Sequence, residues 1–175
     1  MKNATKNPDN RSAASNNRFD HLEQQLRRSI EQNSSTPETY FSLGLVCKST
    51  RRLDEAAHYF AQAIKLKADY PEAYNSLALT LCSLQRFDQA QACLLKAIEL
   101  KSDYAEAYNN LGIVQVRRKL PEEAVESFRK AVRLGPVNPS LLNNLGLALY
   151  GLEQFEESLD YFRQATEIDP NYTEA

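Results

Sequence analysis

The stretch DYPEAYNSLALTL, residues 69–81, returns as DYAEAYNNLGIVQ at residues 103–115, an interval of 34 residues. The same interval separates Asn75, Asn109 and Asn143. A fixed period of this length is typical of repeat proteins, in which each copy of one supersecondary unit packs on the next. The period predicts four full units, at residues 37–70, 71–104, 105–138 and 139–172.

Residues inside one unit follow the spacing of a helix face. The positions i, i+3, i+4 and i+7 of a predicted buried face are held by Tyr108, Leu111, Gly112 and Gln115. Pro121 and the acidic residues after it favour a second helix, because proline is tolerated in a first turn and acids are stabilised at the positive end of the helix dipole. Each unit is therefore predicted to be a helical hairpin, and the fold an all-α solenoid of stacked hairpins.

The units share a sequence signature as well as a length. A large residue stands three places before Leu-Gly or Leu-Ala and the pattern A-x3-F follows, as in Tyr40, Leu43, Gly44, Ala56 and Phe60. This signature resembles that of the tetratricopeptide repeat. The resemblance implies a right-handed superhelix of helix-turn-helix repeats whose concave groove binds protein or peptide partners.

The two ends of the chain depart from the repeat. Residues 1–17 contain little that could be buried, which predicts a disordered tail. Residues 18–36 return to the register of a second helix and are predicted to form a half-repeat that caps the array. Residues 173–175 match the start of an incomplete fifth unit. Because such arrays usually need a polar capping helix for solubility, we expect apolar surface at this uncapped end and a weak homodimer through it.

Charge and composition limit the kinds of partner. The net charge is −2 and the pI about 5.8, so no overall basic field attracts nucleic acid or an anionic membrane, and neither is an expected partner. No apolar run approaches the ~20 residues of a membrane span. The polar N-terminus lacks the apolar core of a secretory signal, and the three cysteines form no C-x-x-C pair. Free thiols favour a reducing compartment, which predicts a cytoplasmic protein.

Residue types that carry catalysis are sparse. The two histidines, His21 and His58, are far apart in the register, and neither has a Ser or Cys partner at a readable spacing. No glycine-rich phosphate loop is present, and the two thiols of Cys82 and Cys93 cannot by themselves make a metal site. We therefore predict a protein that is not an enzyme and that needs no cofactor or metal.

The resemblance implies that the face of each first helix that points away from the core lines the concave groove. One set of positions on that face is polar and consists of Asn75, Asn109, Asn110, Asn143 and Asn144. A second set is apolar and consists of Leu45, Leu79, Ile113, Leu147, Val116 and Tyr150. Asparagine amides can pair with the backbone of an extended peptide, and apolar side chains can hold the apolar face of a helix.

These observations predict a non-catalytic scaffold that binds an extended peptide or an amphipathic helix in its concave groove. The alternative is the N-terminal, substrate-recruiting arm of a larger enzyme such as a glycosyltransferase. In the repeat arm of the protein O-linked N-acetylglucosamine transferases, a similar asparagine ladder occupies the column of Asn110 and Asn144. Ser42 and Ser76 fill that column in the first two units, so the ladder is only half matched.

Overall fold

The computed structural model describes the chain from residue 9 to residue 171, with side chains described from Asp20 onward, and the regular secondary structure in that part is α-helical. The helices are α1 (Asp9–Glu31), α2 (Pro37–Ser49), α3 (Leu53–Leu66), α4 (Pro71–Ser83), α5 (Phe87–Leu100), α6 (Ala105–Arg117), α7 (Pro121–Leu134), α8 (Pro139–Gly151) and α9 (Phe155–Ile168). They form two compact units, unit 1 (Met1–Lys67) and unit 2 (Ala68–Ala175). The fold is an α-solenoid of helical repeats, as the sequence period predicts.

Helix α1 begins earlier than the sequence predicts. The disordered tail is expected to reach residue 17, whereas α1 begins at Asp9. Residues 9–17 of the predicted tail are thus part of α1, and they include two alanines, the residue with the highest helix propensity. The rest of the predicted tail, residues 1–8, and the start of a fifth unit at 173–175 lie outside the described residues.

In unit 1, helices α2 and α3 form a closely packed hairpin. Thr36 caps α2, because its hydroxyl accepts a hydrogen bond from the Thr39 amide at 3.3 Å and the Thr39 hydroxyl accepts one from the Thr36 amide at 3.2 Å. A Cβ placed on Gly44 would lie 2.5 Å from the ring of Phe60. Since protein interiors are close-packed, glycine is what allows the two helices to approach this closely.

A charged cluster fastens α1 to this hairpin. The carboxylate of Glu23 pairs with the guanidinium of Arg52 on one side and with that of Arg27 at 2.8 Å on the other. Arg27 also donates to the hydroxyl of Tyr59 at 3.0 Å. The side chain of Glu23 is only 15% exposed, and the hydrogen bond from Arg52 lowers its pKa to about 2. The ionised carboxylate is therefore the form that the folded unit 1 stabilises.

We expect Glu23→Gln to lower the free energy of unfolding at neutral pH by about 1–2 kcal/mol, because it removes charge-assisted hydrogen bonds to two arginines. The folded-state pKa of Glu23 is below its ordinary value of 4.5, so this contribution should be complete above pH 4.5 and lost as the pH falls toward 2. Urea unfolding of both proteins across this range measures the effect. Glu31→Gln, at an exposed position of the same helix, is the control and should change little. A stability difference that stays constant down to the acid end would contradict the assignment.

Unit 2 contains three such hairpins, α4–α5, α6–α7 and α8–α9, and each packs on the next. In α6–α7, a Cβ on Gly112 would lie 2.6 Å from the ring of Phe128, which is the same close contact as in unit 1. The α4–α5 hairpin has Ala78 and Leu94 at the equivalent positions, and both are fully buried. A larger residue on the first helix is thus matched by a smaller one on the second, which keeps the interior filled.

The turn inside each hairpin contains one residue in the left-handed conformation. These residues are Arg51, Gln85, Lys119 and Glu153, with φ values from 59° to 63°. In the α6–α7 turn, the Leu120 amide donates to the Gln115 carbonyl at 2.9 Å, which is the closing hydrogen bond of a Schellman motif. Glycine is the usual residue at this position. Its absence here indicates that packing between the two helices, rather than local backbone freedom, imposes the turn.

Candidate partner-binding site

An apolar pocket opens between α6, the start of α7, and α8. Its volume is about 470 Å³, within the range typical of ligand sites. The residues that line it are Ile113, Val116, Arg117, Lys119, Pro121, Phe128, Asn144, Leu147, Ala148 and Gly151. Phe128, which is almost fully buried, contributes to the lining from α7, whereas Val116 and Leu147 are 46% and 53% exposed on α6 and α8. The pocket therefore offers apolar contact surface that solvent can reach.

Four of the residues predicted to line a groove come together in this pocket, namely Ile113, Val116, Asn144 and Leu147. Leu79 is half-buried on α4 and lies outside the pocket lining. Tyr150 is exposed and packs edge-on against Phe155 at 5.3 Å between ring centroids, also outside the lining. Leu45 is partly exposed in unit 1.

The side chains of Asn75 and Asn110, which are predicted to line the groove, are buried. The Asn110 amide donates to the Asn75 carbonyl oxygen at 2.9 Å, and the Asn75 amide donates to the Glu106 carboxylate at 3.0 Å. These hydrogen bonds connect α4 to α6. The side chains are therefore used to join the first helices of successive hairpins and are not free to hold the backbone of a peptide.

The other predicted asparagines differ in their hydrogen bonding. Asn143 is buried and Asn109 half-buried, and the Oδ1 atom of each lies buried without a hydrogen-bond partner in the part of the chain that the structure describes. Asn144 is half-buried at the pocket wall. Since buried polar atoms are normally paired, Asn109 and Asn143 differ from Asn75 and Asn110 in having a buried acceptor with unused hydrogen-bonding capacity.

Sequence models of the tetratricopeptide repeat match residues 37–70, 69–136 and 139–172. The chain belongs to the tetratricopeptide repeat family. Comparison with curated proteins gave no match. The crystal structure of MamA superposes with a TM-score of 0.83 and is 22% identical, over 94% of this chain and 96% of that one.

Two further solved structures have the same fold. YrrB, described as a TPR protein with an unusual peptide-binding site, has a TM-score of 0.77 at 22% identity, over 92% of this chain and 83% of that one. The pilF protein of Pseudomonas aeruginosa has a TM-score of 0.76 at 22% identity, over 88% of this chain and 72% of that one. At these identities the likeness establishes the fold alone.

In this tetratricopeptide array the pocket has a cationic rim formed by Arg117 and Lys119, which are not among the residues predicted to line the groove. Arg117 and Lys119 are exposed and form no ion pair within residues 20–171. Their neighbour Arg118 differs, because it pairs with the carboxylate of Asp88 at 2.7 Å and donates to the side-chain oxygen of Gln91 at 2.6 Å. The two unpaired cations therefore remain available to an acidic partner.

The sequence also missed Pro121, Phe128, Ala148 and Gly151 as lining residues of the pocket. The signal that could have found two of them is a departure from the repeat. Phe87 and Phe155 begin the second helices on either side, where α7 begins with Pro121. Gly151 occupies the position held by Arg117 one repeat earlier. Smaller residues at both places leave the space that becomes the pocket.

No cluster of three or more metal-ligating side chains (His, Cys, Asp or Glu) is found in the described part of the chain. Burial raises the pKa of the thiols of Cys47, Cys82 and Cys93, which disfavours the reactive thiolate form. None of the helices in residues 9–171 is both long enough and apolar enough to cross a bilayer.

Proposed function

We propose that this chain is a non-catalytic protein-interaction module that binds an extended peptide or an amphipathic helix across α6 and α8. The observation that carries the proposal is the pocket of about 470 Å³, whose lining is mostly apolar and whose walls Val116 and Leu147 are about half exposed. Exposed apolar surface of this kind usually marks an interaction site. The family relationship supports the proposal, as does the peptide-binding site for which the similar structure of YrrB is described.

The geometry of α6 and α8 suits a helical or extended ligand. Ile113 and Val116 are separated by one turn of α6, and Leu147 lies opposite them on α8. An apolar side chain inserted between them would contact both helices and would displace water from apolar surface. Asn144, half-buried at the same wall, supplies one amide for a hydrogen bond to the peptide backbone.

The role of a recruiting arm in a larger enzyme has less support. The asparagine ladder that suggests it requires a free amide in the column of Asn110, and that side chain is hydrogen-bonded to Asn75. Cytoplasmic location and the absence of catalytic activity are part of the proposal. Weak self-association also stays a prediction, which rests on the apolar side chains of Leu159 and Ile168, each about half exposed on α9.

Peptide selection tests the proposed function. We expect the 175-residue chain to enrich binders from a displayed library of random peptides. The double variant Val116→Asp/Leu147→Asp should weaken binding of those peptides by about tenfold or more, because it places charge in the apolar contact surface. The control is Leu95→Asp/Leu134→Asp, which changes similarly exposed leucines of α5 and α7 away from the pocket and should bind normally. Failure to enrich any peptide, or equal loss in both variants, would contradict the proposed function.

A further inference from the structure

We infer that the pocket between α6, α7 and α8 selects an acidic segment that inserts an apolar side chain, with its carboxylates on Arg117 and Lys119. The inference rests on the proposed function and adds the chemistry of the partner. It is drawn from two properties of the pocket, its shape and its charge, that set this hairpin apart from the other hairpins of unit 2.

The shape depends on two small residues. Pro121 begins α7 where Phe87 begins α5, and a proline ring occupies less space than a phenylalanine ring. On α8, a Cβ added to Gly151 would meet no atom within 4 Å, so this side of the pocket is open. One repeat earlier the same position holds Arg117, a long side chain. The opening is therefore a local feature of the α6–α8 segment and does not follow from the repeat as such.

The charge of the lining has one sign. Two cations and no carboxylate are among the residues that line the pocket. The residues equivalent to Arg117 and Lys119 are Ser83 and Gln85 one repeat earlier and Gly151 and Glu153 one repeat later, so within unit 2 the positive charge is specific to this hairpin. The nearest acids in sequence lie outside the lining: Glu122 is exposed, and Glu123 accepts a hydrogen bond from Gln115 at 3.2 Å.

Apolar walls and unpaired cations together favour one kind of ligand. A guanidinium binds a carboxylate through two parallel hydrogen bonds, and an ammonium binds it as a point charge. A basic segment would be repelled, and a neutral one would leave both cations unpaired. An acidic segment with an aliphatic or aromatic side chain can pack against the apolar walls and pair its carboxylates with the cationic rim.

The test variants introduce residues that occupy the equivalent positions in neighbouring hairpins of this chain. Pro121→Phe fills the pocket with the residue that begins α5 and α9, so the fold should tolerate it. Arg117→Ser/Lys119→Gln removes the charge and introduces the residues found one repeat earlier. Gln85 already adopts the left-handed conformation of Lys119, with φ values of 59° and 61°, so the glutamine should keep the turn. Circular dichroism and thermal melting of each variant verify that it is folded.

In the experiment, the displayed random peptides that the wild-type chain enriches are sequenced, and their affinity for each variant is measured. We expect acidic residues beside an aliphatic or aromatic residue in the enriched set. Pro121→Phe should weaken the affinity for these peptides by about tenfold or more. Arg117→Ser/Lys119→Gln should weaken binding of these peptides several-fold and reduce the dependence of the affinity on salt. Peptides in which the acidic residues are replaced by the corresponding amides should bind this variant and the wild type with similar affinity.

The outcomes separate the inference from the proposed function. Enriched peptides that are neutral or basic, or that bind both variants as tightly as wild type, would overturn the inference. If those peptides were still lost with Val116→Asp/Leu147→Asp, the proposed function would stand. A chain that enriches no peptide would overturn both.

Discussion

Phe128→Ala is expected to lower the free energy of unfolding by about 3–5 kcal/mol, the largest loss that we predict for a single substitution in this chain. The ring of Phe128 is 1% exposed and lies directly against Gly112 on the facing helix. Truncation to alanine would leave a cavity between α6 and α7 that the two backbones cannot close without moving. Equilibrium unfolding in urea, followed by circular dichroism, measures the loss.

The natural control is the pair found one repeat earlier. Gly112→Ala/Phe128→Leu reproduces Ala78 and Leu94 and should stay within about 1 kcal/mol of wild type, since volume-conserving exchanges in a core are tolerated best. Gly112→Ala alone should cost about 1–2 kcal/mol, because steric overlap with the ring exceeds the gain in helix propensity. If the single and double variants were equally stable, the two positions would not be coupled and the proposed complementarity would be wrong.

This complementarity explains why the hairpins could be predicted from the sequence. The glycines and phenylalanines recur at a fixed interval, and each Gly–Phe pair is a contact between the two helices of one hairpin. The same spacing predicts the helices and the solenoid, because the buried face of every first helix has the same pattern of large and small residues. The left-handed turn residues escaped prediction, since Arg51, Gln85, Lys119 and Glu153 share no feature that favours that conformation.

The candidate site was predicted only in part. Apolar residues such as Val116 and Leu147 could be found because they fall on the helix face opposite the core pattern. The burial of Asn75 and Asn110 could not, because a helix face in isolation does not show that the first helix of the next hairpin packs against it. The pocket itself depends on Pro121 and Gly151, which depart from the repeat, and a search for periodic positions passes over such departures.

Two asparagines at the same position of different repeats should respond oppositely to the same substitution. Asn75→Leu is expected to lower the free energy of unfolding by about 1–3 kcal/mol, because it leaves the buried amide of Asn110 without its acceptor. Asn143→Leu should be neutral or should stabilise by up to about 1 kcal/mol. The Oδ1 atom of Asn143 is buried and has no hydrogen-bond partner within residues 20–171, so the substitution removes an unpaired acceptor from the interior.

Comparing the two variants tests whether the asparagine side chains stabilise the packing of the helices and whether they contribute to partner binding. Urea unfolding of Asn75→Leu and Asn143→Leu, beside wild type, gives the two stability changes. Equal destabilisation by both would mean that Asn143 is satisfied in the folded protein, and our account of the pair would be wrong. The affinity of the selected peptides for Asn143→Leu is the second measurement. Because leucine cannot accept a hydrogen bond, weaker binding by a fully stable variant would support the sequence-based prediction that Asn143 contributes to partner binding.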